Sequence, residues 1–160
     1  MSDRAWGRLR IGGSVPYESL KAAVAEHLGQ DLPDDPADIP MKEDVHQHGF
    51  DMEDGFLMLE DPDVVGGCFE DFEQWLCRNG IAFDRVNAPY PGVWSDEKCS
   101  FRPGMDSPYT TISDTHNGHF YAEICQVRKA AKKATTIEEF RAWVDRNHPE
   151  ISPLEPVEFV

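Results

Sequence analysis

The sequence predicts an α+β protein: a ferredoxin-like βαββαβ core, with a β-hairpin and two C-terminal helices appended. Three observations point there. Segments of alternating and helical periodicity follow one another in the order β-α-β-β-α-β over residues 6–86. A continuous apolar run, Phe56-Leu57-Met58-Leu59, suits a strand covered on both faces. Thr136-Ile137-Glu138-Glu139 has the form of a helix capping box late in the chain. The 160 residues, 40% of them hydrophobic, suffice for one core without disulfides or metal. Residues 1–150 are expected to form a single α+β domain and residues 151–160 a C-terminal tail, either packed on the surface or mobile.

The first strand is read over Trp6–Ile11, where Arg8 and Arg10 alternate with Leu9 and Ile11 before Gly12-Gly13. Ser14 is placed as a helix cap, with Pro16 in the first turn. Leu20, Ala23, Val24, His27 and Leu28 fall on one helical face, and Gly29 is a natural stop. The prolines and aspartates of residues 30–40 make a loop. A short strand is expected over Val45–Phe50, a turn over Asp51–Gly55, and a second strand over Phe56–Leu59. The next helix, Cys68–Asn79, turns Phe69, Phe72, Trp75 and Leu76 inward, and Ile81–Val86 is the strand after it. Beyond a proline-rich stretch, Cys99–Arg102 and Tyr109–Ser113 are expected to pair as a hairpin, with His119–Tyr121 as a further short strand. Ile124–Ala134 reads as a helix with Ile124, Val127 and Ala131 on one face. A last helix starts at Thr136, is lined by Ile137, Phe140, Trp143 and Val144, and stops at Asn147-His148-Pro149.

The formal charge of −15 is concentrated. Residues 31–73 carry fifteen acids and one base, Lys42, for −14; residues 1–30 carry +1 and residues 74–160 carry −2. So many carboxylates in one segment repel one another and cost stability. Their presence reads either as a solvated face or as a surface for a basic partner. No EF-hand spacing occurs: Asp51-Met52-Glu53-Asp54-Gly55 is only a fragment of one and fits a turn better.

Few patterns carry chemistry. His46-x-His48 and His116-x-x-His119 could share a metal, completed by Asp51, Glu53 or Asp114, since neutral imidazole suits Zn, Fe or Ni; the competing reading is polar surface on a hairpin and a turn. Cys68, Cys77, Cys99 and Cys125 contain no Cys-x-x-Cys and are expected to be reduced. Cys99 with His116 is a remote nucleophile pair. Gly12-Gly13-Ser14 sits where a phosphate meets a helix N-terminus, but is equally an ordinary turn. Arg128, Lys129, Lys132 and Lys133 form a basic stripe, read as a solvated face lying against the acidic segment. Tyr90, Trp94, Phe101 and Tyr109 anchor a long loop to the core more readily than they form a recognition loop.

With no catalytic set, the sequence leads to an acidic protein-binding inhibitor, of phage or mobile-element character, that occupies the basic nucleic-acid-binding surface of a host protein or complex. Its composition is similar to that of anti-CRISPR and other DNA-mimic proteins, which are small, acidic and free of motifs. The residues expected to meet the partner are Asp34, Asp35, Asp38, Glu43, Asp44, Asp51, Glu53, Asp54, Asp61, Asp63, Glu70, Asp71 and Glu73. No cofactor and no direct nucleic-acid contact are expected. The alternatives are a small metal-dependent enzyme using His46, His48, His116 and His119, and a housekeeping interaction module whose acidity aids solubility. Met1–Trp6 has no apolar h-region and no run approaches the ~20 residues that span a bilayer, so a cytoplasmic protein without membrane contact is expected.

Overall fold

The computed structural model describes residues 4–42, 49–88, 96–114, 119–121 and 124–160. It is a mixed α+β fold with a mostly antiparallel sheet and four helices. The strands are β1 (Arg4–Val15), β2 (Gly49–Glu53), β3 (Phe56–Val65), β4 (Ala82–Asn87), β5 (Glu97–Phe101), β6 (Tyr109–Asp114), β7 (His119–Tyr121) and β8 (Val157–Phe159). The helices are α1 (Tyr17–Leu28), α2 (Glu70–Arg78), α3 (Ile124–Lys133) and α4 (Ile137–Asn147). Seven strands lie in the order β2-β3-β1-β4-β5-β6-β7, every neighbouring pair antiparallel, and β8 pairs with β1 in parallel.

Alternation in β1 sets the layers. Leu9 and Ile11 point to one face, Arg8 and Arg10 to the other. Register carries the division across the sheet: Leu9 pairs with Leu59 and Arg85, Ile11 with Leu57 and Phe83. On this inner face, α1 contributes Leu20 and Val24, and α2 contributes Phe72 and Leu76; all four are buried in one cluster with the strand residues. The inward positions of α1 and α2 were thus legible from helical spacing.

The outer face has mixed charge. Across it run Asp51, Met58, Arg10, Asp84 and Ser100 in one row and Glu60, Arg8, Val86 and Lys98 in the next. The Arg10 guanidinium lies over the Phe56 ring, 3.5 Å from its centroid. This contact helps bury Phe56, and Met58 on the same face is buried too, so the run 56–59 is covered on both faces, as its continuous apolarity requires.

A strap formed by residues 148–160 crosses the outer face. The Tyr109 hydroxyl meets His148 Nδ1 at 3.1 Å, and Arg102 Nε donates to the Ser152 carbonyl at 2.9 Å. Gly12 lets the strap cross β1: a Cβ there would lie 2.0 Å from the Glu155 carbonyl oxygen. Val157 N donates to Gly55 O, Val160 N to Val15 O, and Tyr17 N to Val160 O. The Phe159 ring meets Tyr17 edge-on at 5.1 Å. The stretch expected as a tail thus includes a strand.

Other local readings shift for related reasons. β1 continues past Gly12-Gly13 to Val15 because β8 supplies hydrogen-bond partners there. Ser14 is therefore in the strand, the cap position of α1 is Pro16, and the first helical N–H goes to Val160 instead of to a serine hydroxyl. β3 runs on to Val65 because Pro62 falls where the β1 register shifts, a position that needs no ladder N–H. In α3 the buried residue is Ala130, while Ile124 and Ala131 are exposed. Ile137 is likewise exposed.

Candidate functional site

The acidic segment was read as a solvated face or as a surface for a basic partner. The structure distributes its described carboxylates over four environments. Asp34, Asp35 and Asp38 lie in the loop after α1, around a short 3-10 turn (Pro36–Asp38) whose N–H at Ala37 donates to the Asp35 carboxylate at 2.8 Å. All three are exposed. Asp34 pairs with Lys21 while its side chain remains fully exposed. Asp54 is at the tip of the β2–β3 hairpin: with φ of 51° at Asp54 and 82° at Gly55, these two residues form the left-handed turn that Asp-Gly favours.

A second group sits at the opposite end of the sheet. Asp61 accepts from the Asp63 N–H at 2.8 Å, and Asp63 pairs with Arg4 at 3.0 Å. Glu70 and Asp71 occupy the exposed first turn of α2, where the helix dipole favours carboxylates.

The third group lies on the outer face. Asp51 is buried, and its Oδ1 has no hydrogen-bond partner among the described residues. Burial pushes its carboxyl above the usual aspartate range, against the pull of Lys42. Glu53 also loses solvent, which alone would raise it; contacts with Arg8 and Lys42 outweigh that and hold it low. Glu60, not among the expected contact residues, accepts from the Trp6 indole at 2.7 Å.

The fourth environment is the core. Glu73 is buried under α2, its carboxylate 3.0 Å from Arg85 Nε and accepting from Phe69 N at 2.9 Å. Burial raises the Glu73 carboxyl, and the Glu73 carboxylate in turn keeps Arg85 firmly protonated despite burial. Glu53 and Glu73 are therefore taken up by cations of this chain, and Asp51 is withdrawn by burial. Sequence could not separate Glu73 from Glu70 and Asp71, because the register of α2 against β4 decides which acid faces Arg85. Glu43 and Asp44 lie outside the described residues.

At the loop end, the charges of Lys21, Asp35, Glu18 and Asp34 all act on the Tyr17 phenol, which burial already raises. Tyr17 donates to the Pro33 carbonyl at 2.8 Å, tying α1 to the acidic loop. Lys21 pairs with Asp34, so the start of α1, which carries Glu18, is joined to the loop that carries Asp34 and Asp35. Glu18, outside the acidic segment, was missed because it belongs to a helix distant in sequence.

Among the chemistry-bearing patterns, His46, His48 and His116 lie outside the described residues, and only the backbone of His119 is described. Among the described residues, no three His, Cys, Asp or Glu side chains form a metal-holding group. Cys99 is buried with its thiol pushed up by burial, and burial pushes Cys77 up to about 11, so neither is activated as a thiolate. Gly12-Gly13-Ser14 is not a phosphate loop: Gly13 N donates to the strap at Glu155 and Pro156, and Tyr17 N to Val160. Phe101 anchors the core, stacked on Phe83 with centroids 6.0 Å apart; Tyr90 and Trp94 lie outside the described residues. Arg128, Lys129, Lys132 and Lys133 make no ion pair with the acidic segment among the described residues. No helix among the described residues is long and apolar enough to cross a membrane.

No protein-family model matches the chain, no curated protein is similar to it in sequence, and no solved structure matches it.

Proposed function

We propose that this chain is an acidic binding protein that engages the basic, nucleic-acid-handling surface of a partner, as a DNA-mimic inhibitor would. The observation that carries the reading is the tie between α1 and the acidic loop, through Tyr17 to the Pro33 carbonyl and Lys21 to Asp34, which brings the exposed Asp34 and Asp35 to the start of the helix that carries the exposed Glu18. Asp38 follows in the same loop. Fixed carboxylates on a tethered loop compete with phosphates for Lys and Arg, and their field speeds encounter with a basic partner.

The test is capture from host lysate at low and at ~0.5 M salt, where the Debye length falls below about 5 Å. The captured protein is then purified and titrated with nucleic acid. The reading expects a nucleic-acid-binding protein, held at low salt, displaced by nucleic acid, and lost with Glu18→Gln/Asp34→Asn/Asp35→Asn/Asp38→Asn. Capture that survives those substitutions overturns it. If capture is instead lost with Asp63→Asn/Glu70→Gln/Asp71→Asn, the opposite end of the sheet is the contact surface. The split of exposed acids between two ends also favours a second reading, in which acidity only keeps the protein dispersed; nothing would then be captured specifically.

For residues 4–87 we propose a ferredoxin-like core. The strand order β2-β3-β1-β4, antiparallel throughout, with α1 and α2 buried against one face, supports it. Fold alone says nothing of function.

A further inference from the structure

α3 and α4 face each other across a cleft of about 530 Å³, within the ~300–1,000 Å³ range of small-molecule sites. Lys129 and Lys133, one turn apart on α3, line one wall; Trp143 and Arg146 on α4 line the other. Ala130 and Ala142 are small enough to leave the space open. Residues 124–148 hold six bases and three acids, a net +3 in a chain of −15. Lys129, Lys133 and Arg146 make no ion pair among the described residues.

The one carboxylate in the lining is committed elsewhere. Glu139 accepts from the Thr135 N–H at 2.6 Å and from the Thr135 hydroxyl at 2.8 Å, closing the first turn of α4. Those bonds hold its pKa low, so it remains an occupied acceptor at neutral pH. Trp143 is held in place from its own side: Phe140 stacks on it at 6.1 Å, and the His148 ring meets it at 5.7 Å. The cleft thus offers a fixed aromatic surface and three cations, one aromatic plane beside a cluster of anion donors.

We propose that the α3–α4 cleft binds a nucleoside polyphosphate, the base stacking on Trp143 and the phosphates meeting Lys129, Lys133 and Arg146. Stacking of a base on an aromatic side chain and charge-assisted bonds from Lys and Arg to phosphate are the two interactions this lining supplies. An anion lacking a ring would use only the second. This site is independent of the acidic loop.

The test is calorimetric titration of the full chain with ADP, with inorganic pyrophosphate and a ten-nucleotide single strand as comparison probes. ADP is expected to bind, and pyrophosphate at least about tenfold more weakly, the worth of one stacked base. Lys133→Gln/Arg146→Gln should weaken ADP by about tenfold or more. Trp143→Phe should weaken ADP and leave pyrophosphate unchanged; being conservative, it keeps the helix pair folded, which circular dichroism verifies. No ADP binding at millimolar concentration, or ADP binding indifferent to these substitutions, overturns the proposal. So does equal affinity for pyrophosphate, and so does binding of the single strand without ADP, which would make the cleft a strand-binding groove.

Discussion

Glu73 and Arg85 are a buried pair whose members depend on each other. Their side chains are 11% and 6% exposed and 3.0 Å apart. Removing one partner strands a charge in the core, so Glu73→Leu or Arg85→Met alone should cost about 3–5 kcal/mol. The double substitution should recover most of that loss, because two apolar side chains replace two desolvated charges. Urea denaturation of the four proteins measures both effects; single losses under about 1 kcal/mol would mean that the pair is not isolated from water. Asp51 is a different residue-scale case, a buried carboxylate with one oxygen that has no hydrogen-bond partner among the described residues. Its pKa is raised by burial, so the fold prefers the neutral acid. As pH rises through the aspartate range, the folded protein must ionise Asp51 against that preference, and stability is lost over this interval and stays lower above it. Asp51→Asn should therefore stabilise the protein at pH 7 by about 1 kcal/mol, or ~2–4 °C in Tm, and should make little difference at about pH 3. Thermal melts at the two pH values decide it, and a lower Tm for Asp51→Asn at pH 7 would rule the account out.

At the scale of elements, the crossing of the strap at Gly12 is a sharp constraint. Gly12→Ala puts a methyl group 2.0 Å from the Glu155 carbonyl oxygen, on backbone that cannot rotate aside. The strap is expected to lift, freeing β8 and uncapping α1, while Leu9 and Ile11 stay in the sheet. Limited proteolysis should then cleave within residues 150–160 of Gly12→Ala under conditions that spare the parent; equal protection would show that the strap accommodates the methyl. This element also marks a boundary of sequence reading. Helical spacing identified α1 and α2, and alternation identified β1, because each signal is local and repeats within one element. The turn read over Asp51–Gly55 is confined to Asp54-Gly55, because Asp51–Glu53 pair with β3 and extend β2 beyond the strand read over Val45–Phe50, of which residues 45–48 lie outside the described residues. β8 was not legible, because three residues after Pro156 become a strand only when β1 offers its hydrogen bonds. The outward placement of Ile124 and Ile137 was missed for a similar reason: α3 and α4 meet each other over a cleft, not over the sheet.

For the whole molecule, charge was legible as a total and a segment, but not as a surface. Register placed Glu73 against Arg85 and Glu53 against Arg8, and topology sent the remaining exposed acids to both ends of the sheet. The binding reading therefore rests on the few carboxylates near Tyr17 and not on the formal −15. The α3–α4 cleft lay in the sequence only as a basic stripe; the tryptophan opposite it comes from a different helix. The pairing of β8 with β1 has one more consequence, for the order of events in folding. Gly13 and Val157 are partners 144 positions apart. The entropy of closing so long a loop grows only slowly with length, by about 0.6 kcal/mol per doubling, yet contacts of such separation delay the transition state. The β1–β3 and β1–β4 ladders close much shorter loops and can form without it. The strand that finishes β1 and caps α1 is thus expected to dock last, onto a sheet already assembled, leaving a late intermediate whose central strand is complete at one end and bare at the other.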